Sequence, residues 1–269
     1  MPNQFTHPWT SQEINFLKAN VHKLTYKQMG KDIRRTPASI QSRVRYLPIQ
    51  QKVKKYSVNS NFFKKWSANM AYTLGFIAAD GNICHSGRSH ILHIACDDRD
   101  IIEKIKLTLE YNGPVHENHR NNNKISFSLR ICDRVVFDDL LKLGISERKR
   151  LTLNFPKIPN NLVRHFLRGY FDGDGCVFLR NTNKYRSPVA TIFYTASLNM
   201  AQGIHNILSG VLHELYASNI QTRFSNNQTP YYTLSCGHKA SLKLFGYMYH
   251  DTELYMERKF QKFIKGFAL

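Results

Sequence analysis

One segment of this chain is written twice. Tyr72-Thr-Leu-Gly75-Phe-Ile-Ala-Ala-Asp80-Gly81 returns 94 residues later as Phe166-Leu-Arg-Gly169-Tyr-Phe-Asp-Gly-Asp174-Gly175. Such a repeat limits the fold sharply, because both copies must be built from the same elements. Each copy reads as a short apolar helix ending in Asp-Gly. Strand-like runs follow, Asn82–His85 with His90–Cys96 and Cys176–Arg180 with Val189–Ala196. An amphipathic helix comes next (Asp98–Glu110; Leu198–Tyr216), then a second strand pair (Pro114–His119 with Lys124–Ile131; Ile220–Phe224 with Tyr231–Cys236), then another helix. Each copy closes on Glu-Arg-Lys, at Glu147–Lys149 and Glu257–Lys259. Helix, two strands, helix, two strands, helix, met twice, predicts an α+β fold of two pseudo-symmetric repeats, 69–155 and 156–269.

The glycine spacing says how the two copies meet. Gly75 and Ala79 stand four apart, as do Gly169 and Gly173, so each helix has a stripe on which no bulky side chain holds a neighbour away. Two such helices side by side bring Asp80 next to Asp174. Like charges so placed need a cation or a shared proton. Carboxylate oxygens suit Mg²⁺ (or Mn²⁺), which keeps some of its waters and takes one or two carboxylates plus a substrate phosphate. That is the chemistry of metal-assisted phosphodiester cleavage. A single Asp-Gly is usually only a turn. Two in matching contexts point to a site. Asp172-Gly-Asp174-Gly lacks the ligand series of a calcium loop.

The charge balance agrees. Lys and Arg number 38 against 19 Asp and Glu, a net charge of +19. An excess of this size favours a polyanionic partner, and double-stranded DNA is the first candidate. No apolar run approaches a bilayer span, so no membrane partner is expected. Five widely spaced cysteines without a Cys-x-x-Cys pair argue against a disulfide framework or structural zinc. The N-terminus lacks the pattern of a signal or transit peptide. A cytoplasmic monomer with access to the chromosome is the expectation.

Residues 1–48 are different in kind. Thr10-Ser-Gln-Glu13 and Thr25-Tyr-Lys-Gln28 are capping boxes, and Thr36-Pro37 sets a cap before a helix-opening proline. Apolar residues follow each at helical spacing, predicting three short helices. Such a trio suits a helix-turn-helix unit, whose last helix would show Ser39, Gln41, Ser42, Arg43 and Arg45 to DNA. Trp9-Thr10, Glu13, Phe16-Leu17 and Arg35–Ile40 resemble Myb/SANT-like modules of this type; a helical interaction domain is the alternative. Residues 49–68, basic and aromatic, read as a linker leading into a short helix around Phe62 and Trp66.

Over residues 70–269 the resemblance is more specific. Leu74–Gly81 and Leu167–Gly175 are similar to the paired motifs of monomeric LAGLIDADG homing endonucleases. The resemblance implies a site-specific DNA endonuclease in which Asp80 and Asp174 bind metal, helped by the carbonyls of Ala79 and Gly173. Lys149 and Lys259 match the family's basic residues near the scissile phosphates; solvated surface charge is the alternative. It further implies a saddle of two four-stranded sheets lying along the major groove. In or beside its strands stand Arg88, His90, Lys124, Ser126, Ser128, Arg130, Arg180, Arg186, Thr191, Arg223 and Asn226. The motif's earlier acid is Asp172 in the second copy and Ala78 in the first, a departure that spares the metal ligands. Asp97 is a lesser candidate for positioning water, and Asp98 reads as a helix cap. An inactive transcription regulator and an intron RNA maturase are the competing functions; a pure binder gains nothing from a repulsive acid pair.

Overall fold

A computed structural model describes residues 7–21, 23–48, 55–87, 89–119, 124–179, 189–216 and 218–267. The chain divides into two compact units, Met1–Lys55 and Tyr56–Leu269.

In the first unit each helix starts on its expected cap. At α1 (Ser11–Asn20) the Thr10 hydroxyl accepts from the Glu13 N–H, and the Glu13 carboxylate accepts from the Thr10 N–H. At α2 (Tyr26–Ile33) Thr25 and Gln28 form the same box. At α3 (Pro37–Arg45) Thr36 accepts from the Ser39 N–H. Leu17, Met29 and Ile40, one from each helix, meet at the buried centre. Arg35 braces the unit from inside. Its Nε donates to Glu13 at 2.8 Å, and its guanidinium lies 4.6 Å from the centre of the Trp9 ring. This hydrogen bond pulls the Glu13 carboxyl down to about 2.

The second unit starts inside the segment expected to be linker. Residues 49–54 lie outside the described residues. From Tyr56 onward the chain is docked: the Ser57 N–H donates to the Asn112 side chain, and the Asn59 N–H to the Leu109 carbonyl. Phe63 is buried, and Tyr56, Val58, Phe62 and Trp66 pack against the core. So much apolar surface is more stable covered than left in water.

Two copies of one pattern follow. The first is α4 (Ala68–Asp80), β1 (Gly81–Ser86), β2 (Ser89–Cys96), α5 (Arg99–Thr108), β3 (His116–His119), β4 (Ile125–Cys132) and α6 (Arg134–Lys142). The second is α7 (Val163–Asp174), β5 (Gly175–Leu179), β6 (Val189–Thr195), α8 (Leu198–Leu212), β7 (Gln221–Phe224), β8 (Pro230–Cys236) and α9 (His238–Tyr249). The sheets share one antiparallel order, β1-β2-β4-β3 and β5-β6-β8-β7. The copies differ at the end. Glu257–Lys259 opens an added helix, α10 (Glu257–Phe267), whereas Lys149 lies in a single 3-10 turn, Lys149–Leu151.

Helices α4 and α7 form the centre of the unit. Met70–Ala78 and His165–Asp172 are buried around the whole helix circumference. A Cβ at Gly75 would overlap the carbonyl oxygen of Phe166, and one at Gly169 the carbonyl oxygen of Tyr72. The helices touch backbone to backbone, so neither partner can yield by turning a rotamer. Overpacking of this kind typically costs 1–3 kcal/mol and more when backbone must move. Gly75→Ala is therefore expected to lower unfolding stability by about 3 kcal/mol in urea melts. Gly246→Ala, on α9 with nothing near its Cβ position, is expected to change stability by less than about 1 kcal/mol, in the stabilising direction.

Candidate functional site

The close approach of α4 and α7 places their C-terminal ends together. Each helix ends on its acid, and the glycine after it, Gly81 or Gly175, opens a strand. A Cβ at Gly173 would overlap the Ala79 methyl and lie 3.3 Å from Asp80 Oδ2. A side chain there would thus crowd the Asp80 carboxylate itself.

The two acids act on each other electrostatically. Burial, followed by the neighbouring Asp174 charge, pushes Asp80 up to about 6, against the pull of Lys259 and Lys149. Asp174 is also raised by burial, with Lys149, Lys259 and Arg150 opposing. Both lysines are buried, Lys149 8% and Lys259 5% exposed, and burial lowers both. Desolvation outweighs the lysines, so the pair favours neutralisation in the free protein. Among the described residues, no three His, Cys, Asp or Glu side chains gather to hold an ion by themselves. Two carboxylates and nearby backbone carbonyls suit a hard divalent cation that completes its shell with water and phosphate.

The lysines reach this place differently. Lys259 Nζ donates to the carbonyl oxygens of Phe171 and Asp172, both at 2.7 Å, and of Gly173 at 3.2 Å. It caps the end of α7, where the carbonyls of Asp172 and Gly173 lie in the last turn, and shares the Phe171 carbonyl with the Gly175 N–H. Lys149 lines a cleft with Ala79, Asn82, Arg148, Arg150 and Asp174. Asn82, Arg148 and Arg150 escaped sequence reasoning, although both arginines flank Lys149 and so were within reach of it.

Asp172 points into the core. Tyr249 donates to it at 2.6 Å, Tyr72 at 2.8 Å and the Met256 N–H at 2.9 Å. It thereby joins α7 to α4, α9 and the segment leading into α10. The Ala78 in the other copy leaves that network one-sided. Asp98 is a correction: its side chain does not cap α5. It accepts from Nε and Nη2 of Arg258, at 2.8 to 3.1 Å. The charge-assisted fork is stronger than a single cap bond. Asp97 contributes to raising Asp80, which puts it within electrostatic reach of the acid pair.

The strand candidates divide by face. The register aligns Asn82, His93 and Arg130 across β1, β2 and β4, on the face away from Leu129 and Ile131 of the core. Ser126 and Ser128 share that face, but neighbours cover them to 2% and 3% exposure; Ser128 accepts from Asn118 at 3.0 Å. Arg130, Arg223, Asn226 and Lys124 are exposed. Two candidates are corrected. His90 faces the helices and meets Phe137 edge-on at 5.2 Å. Thr191 is fully buried between Val177 and Cys236, hydrogen-bonded to Ser241. A period of two inverts every side chain when a strand is read one residue out. Arg88, Arg180 and Arg186 lie outside the described residues. On α3, Gln41, Ser42 and Arg45 are exposed, while Ser39 and Arg43 are half-buried.

The acid pair makes a stability prediction. The raised folded pKa of Asp80 means the folded chain holds its proton up to about pH 6, while the unfolded chain releases it near 3.8. The contribution to stability is therefore complete below pH 3.8 and lost as pH rises to 6. In metal-free buffer at pH 8, Asp80→Asn is expected to raise Tm by roughly 5 °C. At pH 4 most of that gain disappears. Thermal melts in chelator at the two pH values check both numbers.

Three likenesses to known proteins bear on this arrangement. Residues 161–247 match the LAGLIDADG-like domain. The uncharacterized protein MJ0314 of Methanocaldococcus jannaschii is 24% identical over 123 residues, covering 44% of this chain and 45% of that one. The match thus spans less than half the length of this relative. The solved structure of the homing endonuclease I-WcaI bound to its DNA recognition sequence aligns with 82% of this chain and 96% of its own, at 16% identity and a TM-score of 0.50. The second repeat thus matches the LAGLIDADG-like domain, and most of the chain shares the fold of that homing endonuclease.

Proposed function

We propose that this protein is a site-specific endonuclease of the LAGLIDADG homing type, hydrolysing double-stranded DNA at Asp80 and Asp174. The observation that carries this reading is the acid pair, half-buried at the ends of two glycine-packed helices and flanked by two buried lysines. No packing need explains it, since burying like charges together is destabilising. It becomes favourable with divalent cations, Mg²⁺ or Mn²⁺, held by the two carboxylates with help from backbone carbonyls near Ala79 and Gly173. When bound, such ions supply an activated water and stabilise the leaving oxygen.

The chain's own residues supply the rest. Asp80 and Asp174 set the centre of the site, and Lys149 brings positive charge beside it. The sheet faces carrying Arg130 and Arg223 offer side chains to phosphates and base edges. In the N-terminal unit, α3 with Gln41, Ser42 and Arg45 is a second DNA reader, and the first 56 residues hold 11 Lys and Arg against 2 Asp and Glu. A unit joined in series raises effective concentration on DNA without touching the chemistry.

Selection from a randomised duplex library, followed by cleavage in Mg²⁺, tests the assignment. Asp80→Asn and Asp174→Asn are each expected to abolish double-strand cutting while retaining binding to the selected duplex. Full cutting by the double variant contradicts the site. A chain starting at Tyr56 should still cut, with weaker binding, a shallower salt dependence and a footprint shortened on one flank. Unchanged affinity and salt slope would remove α3 from the DNA-reading surface.

A further inference from the structure

The two Glu-Arg-Lys segments are alike in sequence and unlike in use. Lys259 Nζ is committed to the carbonyls of Phe171, Asp172 and Gly173, all at the end of α7. Three acceptors complete the donor set of an ammonium group. Its neighbours fix it further. Arg258 holds Asp98 across the repeats, and the Glu257 N–H donates to Asp100 at 3.3 Å. The Met256 N–H, at the entry to α10, donates to the buried Asp172.

The first segment is held at Glu147 and not at its lysine. Glu147 accepts from the His85 N–H at 2.8 Å, at the exposed end of β1, and its carboxylate also meets His85 Nδ1 at 2.5 Å. Arg148 is exposed and left-handed, with φ 57. No hydrogen bond holds Lys149 Nζ among the described residues. It borders the cleft that contains Asp174, with exposed Arg148 and Arg150 beside it.

We infer that the lysines have divided roles: Lys149 is a catalytic residue that meets the phosphate of one DNA strand, and Lys259 is a positioning residue that fixes the end of α7 for both. The inference rests on the nuclease reading above. It follows that the strands are not cut by equivalent machinery. One half of the site holds a buried ammonium that faces the acid pair without a hydrogen bond among the described residues, with two arginines near it. In the other, the matching ammonium is already saturated by backbone. Losing Lys149 removes charge stabilisation from one strand alone. Losing Lys259 uncaps the helix that carries Asp174, and both strands depend on that acid.

The test uses the full chain and a selected duplex with each strand labelled separately, under single-turnover conditions in Mn²⁺. Lys149→Met is expected to slow one strand by about a hundredfold and the other by less than about threefold. Lys259→Met is expected to slow both by the same factor and to raise the Mn²⁺ concentration giving half-maximal rate, which Lys149→Met should not raise. Melting of the metal-free proteins gives a readout independent of cutting. Lys259→Met should lower Tm by about 3 °C or more, whereas Lys149→Met should not lower it. A strand-selective loss in Lys259→Met, an equal loss on both strands in Lys149→Met, or equal melting shifts would overturn the division. If the unsubstituted protein cuts no selected duplex, the nuclease reading falls, and the melting comparison still decides whether Lys259 is the cap and Lys149 is not.

Discussion

The structure depends on two helices that touch at their backbones. Gly75 and Gly169 allow that contact, and Gly173 continues it to the end of the helix, where Ala79 and Asp80 sit. Helices separated by ordinary side chains pack 8–10 Å apart. Without the glycines, the acids would be carried apart. The same contact is the interface between the repeats, so folding the second unit and assembling its site are one event. Placing two carboxylates there opposes stability, and the burial of apolar side chains around α4 and α7 is what holds them in place.

Pseudo-symmetry is strict in the sheets and relaxed around the site. Both sheets follow one strand order, with the strand after each Asp-Gly lying at the edge. The departures cluster on the second copy. Asp172, Tyr72 and Tyr249 form a buried polar network where the first copy has Ala78. Arg168 adds to it, fully buried and donating to the carbonyls of Leu254 and Met248 at 3.0 and 2.6 Å. These groups tie down the segment entering α10, and through it Lys259. A partly satisfied buried network would be costly, so its completeness makes it a rigid support. The first copy, which lacks a helix equivalent to α10, leaves Lys149 on a short turn beside the cleft.

Much of this was legible in the sequence, and the reasons are physical. The repeat fixed element types because a period-two run and a period-3.6 run cannot be exchanged. Thr10, Thr25 and Thr36 announced their helices because each cap needs a hydroxyl three residues before a backbone N–H. The meeting of Asp80 with Asp174 could be read from glycine spacing alone. What failed depended on packing between distant segments. Thr191 and His90 were misplaced because sequence does not show which face of a strand meets the helices. Asp98 looked like a cap because nothing local reveals Arg258, 160 residues away. The short helix expected around Phe62 is a 3-10 turn, Phe62–Lys64, but the docking of the segment from Tyr56 on was missed, since its aromatics lack a period and yet the core of the second unit takes them up. The unequal lysines were hidden by identical tripeptides; only the added helix distinguishes them.

The central claim is that Asp80 and Asp174 occupy one site and act on each other's charge. A double-mutant cycle on stability tests it without DNA or metal. Tm is measured in chelator at pH 8 for the unsubstituted protein, Asp80→Asn, Asp174→Asn and the double variant. If the acids share a site, either substitution relieves the mutual repulsion, and the double variant gains clearly less than the sum of the two single gains. Gains that add within about 0.5 kcal/mol would place the carboxylates in separate environments and contradict the account.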